Sequence, residues 1–267
     1  MALQDYRPLF KWFASYIEGF RNAGGALPGP LEFKRVHSAR VAGNAALIAA
    51  GLELDAEESA LARAAGLLHD AGRFNQFKLY ASFKDASSLD HGQEGRRVLE
   101  TEAASLFPGA DARDRLLCAV QYHNRKAEEL PAGLPPGHDS LLKLVRDADK
   151  IDILEELVDS VEKDGFRRLH AMVPDIKLTK DLTPGVLEAA ARGETLAIKD
   201  LFTLADILVM AAGWFNDLNY TPARRLAADR GFLRRIRAQL TGAAGLDGFF
   251  ASLEAAAAAR GPGYRLS

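Results

Sequence analysis

The sequence predicts an all-α fold, and three observations carry that prediction. Apolar residues recur at helical spacing along most of the chain. No segment of strand length alternates apolar and polar residues. Between the periodic stretches, Pro and Gly clusters supply the breaks, as in Gly24, Gly25, Pro28, Gly29 and Pro30, and again over residues 130–137.

Taken in order, Leu9, Phe10, Trp12, Phe13, Tyr16, Ile17 and Phe20 form the apolar stripe of a first helix, read as core packing rather than a binding box. A second helix is expected from about Leu31 to Ala50, ended by Gly51, with small residues Ala42, Gly43 and Ala45 inviting close approach by a neighbour. Asp55 and Glu58 have the spacing of a capping box, and the helix they start delivers His69 and Asp70 at its last turn, closed by Gly72. Residues 73–90 lack a clean period and read as a long connector of the kind that often carries function. Asp90 caps the next helix and puts His91 in its first turn; Asp111–Tyr122 forms another, with His123 at its end. A long helix from Asp139 or Ser140 to about Asp164 buries Leu142, Val145, Ile153 and Leu157, which places Asp149 on the apolar stripe and Asp147 on a more solvated face. After a Pro/Gly-punctuated stretch over 165–200, helices are expected at Ile198–Leu218, from Thr221 through Ile236, and near the C-terminus. The expected organisation is a helix packed on the core (1–30), a core (31–165) and a helical extension of the same domain (166–267).

Composition bounds the function. The chain has 267 residues, 48% of them hydrophobic and 26% charged, which suits a globular protein with a substantial core. A formal net charge of -2 gives no electrostatic case for nucleic acid or an anionic membrane as partner. The single cysteine, Cys118, reads as a buried apolar residue. Asp5, Arg7 and Lys11 interrupt any secretory h-region, and the apolar run Leu204–Phe215 is broken by Asp206 and too short for a bilayer, so a cytoplasmic location is expected.

The chemistry centres on Leu67-Leu68-His69-Asp70-Ala71-Gly72-Arg73. Adjacent helical side chains diverge by about 100°, so an imidazole and a carboxylate there reach one object only if it lies close to the helix. A divalent metal is such an object, and it would offset the cost of burying an ionised carboxylate beside Leu68. His37, His91, His123 and Asp149 join this pair at helix ends or on inward stripes. Six nitrogen and oxygen donors without a thiolate exceed one tetrahedral zinc shell and suit two ions (Mn, Fe, Mg, Zn, Co or Ni) bridged by Asp70.

The order His … His-Asp … His … His … Asp, with Leu68-His69-Asp70-Ala71-Gly72-Arg73 and Asp147-Ala148-Asp149-Lys150-Ile151, resembles the HD-domain superfamily of metal-dependent phosphohydrolases over roughly residues 31–165. The resemblance implies an HD-type helical bundle. It implies a four-residue metal set at His37, His69, Asp70 and Asp149, with Asp147 as the fallback for the last ligand. His91 and His123 match the two further histidines of dinuclear members. The implied activity is cleavage of a phosphomonoester or phosphodiester, nucleotides included, by a metal-activated water. Asp70 would then act with Arg73 holding a phosphate oxygen, and Lys150, Arg125 and Asn124 assisting. The GYP signature of cyclic-di-GMP phosphodiesterases is absent. A mixed-valent diiron oxygenase, which uses a similar ligand set, and a silent HD binding module remain the alternatives.

Overall fold

The structure, a computed structural model, describes residues 5–170, 173, 175–194, 196–240, 245–258 and 264–265. Among them there is no β-strand, only an isolated parallel bridge between Lys177 and Thr203. The chain divides into two compact units, Met1–Asp149 with Gly263–Ser267, and Lys150–Pro262.

The first unit contains α1 (Arg7–Glu18), α2 (Gly29–Gly51), α3 (Ala56–Leu68), α4 (Gly72–Tyr80), α5 (His91–Glu102), α6 (Ala110–Tyr122) and the first half of α7 (Pro136–Asp164). The α1 stripe does become core: Leu9, Phe13 and Ile17 are buried, and Phe13, Tyr16 and Phe20 surround Phe74 of α4. Tyr16 also donates its hydroxyl to the Ala71 carbonyl at 3.2 Å, which ties α1 to the turn after Asp70. Helices α2 and α3 pack closely where Ala45 and the Val41 carbonyl would each stand 3.1 Å from a Cβ on Gly66. Ala42 and Ala45 are thus the small residues that admit the neighbour, meeting Gly66 of α3, whereas Gly43 is exposed.

Three local expectations change. Gly72 does not close α3; it opens α4, and a Cβ there would fall 2.2 Å from the His91 carbonyl oxygen. The glycine is needed for close approach of α4 to α5, not for a left-handed cap. The connector 73–90 is half helical: α4 runs to Tyr80, Ala81 turns left-handed, and a short 3-10 turn covers Asp85–Ser87. On α7, Ile153 is 38% exposed while Asp147 is fully buried, the reverse of the expected faces. The buried side of that helix carries Leu141, Leu144, Ala148, Ile151 and Leu154, so its apolar stripe is wider than a single row of residues four apart.

The second unit holds the rest of α7 and α8 (Arg167–His170), α9 (Val186–Ala191), α10 (Leu204–Gly213), α11 (Thr221–Asp229), α12 (Phe232–Gln239) and α13 (Leu246–Ala258). The expected helix 198–218 is shorter because Thr203 and Asp206 form a capping box that starts α10 at Leu204. Asp206 is buried, yet it accepts from the Thr183 hydroxyl at 2.6 Å and from three backbone amides of Thr183, Phe202 and Thr203. Gly231, with φ at 67°, separates α11 from α12. Arg235 of α12 pairs with Asp159 and Glu162 of α7.

Candidate metal centre

The six expected donors come from five helices and converge on one point in the first unit. His37 lies on α2; His69 and Asp70 follow the last turn of α3; His91 is the first residue of α5; His123 caps α6; Asp149 lies on α7. The local sequence explains each placement. Asp90 N-caps α5 by accepting from the Gln93 amide at 2.8 Å, which fixes His91 at its first turn. Gly92 and Gly95 let α5 lie against α6, because a Cβ on Gly92 would be 2.5 Å from the Gln121 carbonyl oxygen. Asn44 of α2 donates to the Ala148 carbonyl at 3.1 Å and so holds α7 beside Asp149.

Asp70 is at the middle, with its two oxygens facing different histidine pairs. Oδ2 lies 3.5 Å from His37 Nε2 and 3.6 Å from His69 Nε2. Oδ1 lies 3.5 Å from His91 Nε2 and 3.7 Å from His123 Nε2. Within the pairs, the Nε2 atoms are 3.2 Å apart for His37 and His69, and 3.0 Å apart for His91 and His123. Asp149 Oδ1 completes the first pair, 3.1 Å from His37 Nε2 and 3.6 Å from His69 Nε2.

The far nitrogens of three rings are committed. His69 Nδ1 donates to the Gly66 carbonyl and His123 Nδ1 to the Val120 carbonyl, each at 2.8 Å, while His91 Nδ1 is 2.6 Å from Asp85 Oδ2. That leaves each Nε2 to present a lone pair to the centre. Burial pushes the His91 imidazolium down to about 4, against the hydrogen bond that His91 Nδ1 donates to Asp85, so this ring is neutral at pH 7. Burial alone would raise the Asp70 carboxyl, but Lys34, His69, His123 and Arg73 hold it well below the usual carboxylate range. Asp149 is likewise held low by His37 and His69 in spite of burial.

These residues fit a metal. Neutral imidazole nitrogens and ionised carboxylates are the donor states a divalent ion requires. Asp149 Oδ1 is buried and faces the Nε2 atoms of His37 and His69 at 3.1 and 3.6 Å. Groups able to hold an ion include His37, His69 and Asp149, and also His69, Asp70 and His123. His91 Nε2, 3.0 Å from His123 Nε2 and 3.5 Å from Asp70 Oδ1, adds a further donor beside His123. Asp149, not Asp147, stands at the histidines, although the reason is its turn of α7 and not the greater burial once expected of it.

The expected phosphate-binding cations have other occupations. Arg73 Nη1 donates to Gln76 Oε1 and the Phe83 carbonyl at 2.7 Å and to Asp85 Oδ1 at 2.8 Å, which braces the connector, while its buried Nε, without a hydrogen bond, lies 3.5 Å from Asp70 Oδ1 at the centre. Arg125 pairs with Asp90 at 2.6 Å. Asn124 donates to Asp85 Oδ2 at 3.2 Å and to Asp90 Oδ2 at 3.4 Å. Lys150 belongs to the second unit and pairs with Asp217 at 3.4 Å.

Sequence reasoning passed over two residues that the structure brings in. Lys34 Nζ donates to Asp70 Oδ2 at 2.7 Å, and its spacing of three from His37 on α2 was the available signal. Asp85 lies in the aperiodic connector, where nothing local marks it. Cys118 is buried and its thiol pushed up to about 11 by that burial, in keeping with a packing role.

Among the described residues no helix is long and apolar enough to cross a membrane. No curated protein and no solved structure matches the chain. Residues 35–156 match the HD domain family model, and this segment includes all six converging donors. The HD domain defines a metal-dependent phosphohydrolase superfamily. The chain is thus all-α among its described residues, and its segment 35–156, somewhat less than half of its length, is similar to the HD domain.

Proposed function

We propose that the chain is a metal-dependent phosphohydrolase acting on a small phosphomonoester or phosphodiester, nucleotides among them, at a dinuclear centre. The observation that carries this reading is Asp70, which turns Oδ2 toward His37 and His69 and Oδ1 toward His91 and His123. In it, His37, His69, Asp70 and Asp149 hold one divalent ion, and Asp70, His91 and His123 hold the other. Such ions supply a water of lowered pKa and offset charge on phosphoryl oxygens. Asp70 and the buried rings keep the centre fixed, which favours a transition state over a mobile ground state. Lys34, whose side chain is only 12% exposed and already reaches Asp70, is the cation placed to receive a phosphate oxygen. Arg73 braces the connector through Nη1 and borders the centre through Nε, 3.5 Å from Asp70 Oδ1.

The test is hydrolysis of a panel of nucleotides, sugar phosphates and aryl phosphate esters by protein loaded with Mn2+, with Asp70→Asn beside it. Turnover in the wild type and a loss of at least a hundredfold in the variant is expected. No turnover across the panel, together with O2 consumption by the iron-loaded protein, would replace this reading with the diiron oxygenase. No turnover of either kind would leave a binding module.

A further inference from the structure

His69, His91 and His123 each have a fixed second nitrogen, but they are not fixed alike. His69 and His123 use backbone carbonyls three residues earlier, at Gly66 and Val120, which no substitution at those positions removes. His91 uses a side chain from a different element, Asp85 of the 3-10 turn, at 2.6 Å. As the first residue of α5, His91 has no helical carbonyl of its own one turn back, so its orientation has to come from elsewhere.

Asp85 is itself held on both oxygens. Oδ1 accepts from Arg73 Nη1 and Gln76 Nε2, each at 2.8 Å, and Oδ2 accepts from Asn124 Nδ2 at 3.2 Å. Gln76 is fully buried and also donates to Ser88 Oγ and the Leu89 carbonyl, which pins the far end of the same connector. The arrangement is a part-buried polar network that meets the histidines at His91 Nδ1, through Asp85 Oδ2 at 2.6 Å and, more weakly, Asn124 Nδ2 at 3.4 Å.

We propose that Asp85 is the positioning residue of the second metal position: it sets the tautomer and direction of His91 and thereby selectively controls loading of the ion held by Asp70, His91 and His123. This rests on the dinuclear reading. Carboxylates bonded to the far nitrogen of a ligating histidine raise its basicity and fix its lone pair, and their loss typically weakens metal binding about 10–100-fold. Asp85 does not orient His69 of the first position, whose Nδ1 is held by the Gly66 carbonyl. Arg73 then contributes at one remove, by holding the carboxylate that holds the ring.

The experiment titrates metal-free protein with Mn2+ alone, following bound ions by calorimetry and by the EPR signature of a coupled pair. Wild type, Asp85→Ala and Asp85→Asn are compared, and long-range 1H–15N spectra read the His91 tautomer in each metal-free sample. Wild type is expected to bind two ions and to show His91 protonated at Nδ1. Asp85→Ala is expected to weaken the second ion about 10–100-fold, to leave the first within about threefold, and to shift His91 toward the other tautomer. Asp85→Asn keeps an acceptor but loses the charge, so a smaller loss at the same ion is expected, and its near-identical shape guards against misfolding of the alanine variant. Equal weakening of both ions, or an unchanged second ion in the variants, overturns the assignment of Asp85. One ion or none in the wild type overturns the dinuclear reading instead, and the assignment falls with it.

Discussion

The Nε2 atoms of His91 and His123 stand 3.0 Å apart, and each ring has its Nδ1 bonded elsewhere. Two lone pairs so placed repel unless a proton or a cation lies between them, and the low affinity of His91 for a proton leaves the cation. Divalent metal should therefore stabilise the fold. An ion at a hundred times its Kd adds about 2.7 kcal/mol, which raises Tm by roughly 5–10 °C for a chain of this size. Thermal melts with EDTA, then with Mn2+ or Zn2+ restored, check this; identical melts would argue against a metal site.

The metal-free protein should lose stability in mild acid. His91 protonates near 6.5 when unfolded and is pushed down to about 4 when folded. Between those values the unfolded chain binds more protons, so stability is full above about pH 6.5 and declines toward pH 4, by at most about 3 kcal/mol. Asp70 and Asp149 are depressed in the folded state, so their contribution holds above the usual carboxylate range and fades only below about pH 4. Urea unfolding of EDTA-treated protein at several pH values measures the decline, and His91→Ala should flatten it.

Gly72→Ala should be severe. The added Cβ would sit 2.2 Å from the His91 carbonyl oxygen and 2.5 Å from the Gly95 nitrogen, both backbone atoms that cannot swing away. A loss of about 3 kcal/mol or more is expected. Gly43→Ala, with nothing within 4 Å, should be neutral or stabilising by up to about 1 kcal/mol. Paired denaturation curves decide it.

Asp149→Ala and Asp147→Ala should separate ligand from scaffold. Asp149 Oδ1 lies 3.1 Å from His37 Nε2 and 3.6 Å from His69 Nε2, so its removal should abolish the first ion, which Asp147→Ala should retain. Asp147 is fully buried, and removing it should lower stability by about 1–3 kcal/mol. Ion content and urea midpoints of the two variants test the contrast; lost metal binding with Asp147→Ala alone would reverse the roles.

The donors were legible because histidines at helix ends and a His-Asp pair carry local signals: Asp90 caps where its position says it should, and His91 follows. What the sequence hid was the work of residues without a period. Asp85 sits in a turn, and its partners Arg73, Gln76, His91 and Asn124 meet only through tertiary packing. Gly72 read as a stop signal because a glycine after a helix usually is one, whereas here backbone crowding with α5 demands it. The face of Asp147 was misjudged because a helix buried on a broad front does not follow a single row of residues four apart.

The most direct measurement is the metal content of protein purified under anaerobic conditions, wild type beside His91→Ala. Close to two ions per chain in the wild type, falling to one in the variant, is the predicted result. One ion in both would reduce His91 and His123 to other roles, and no ion in either would contradict the metal centre altogether.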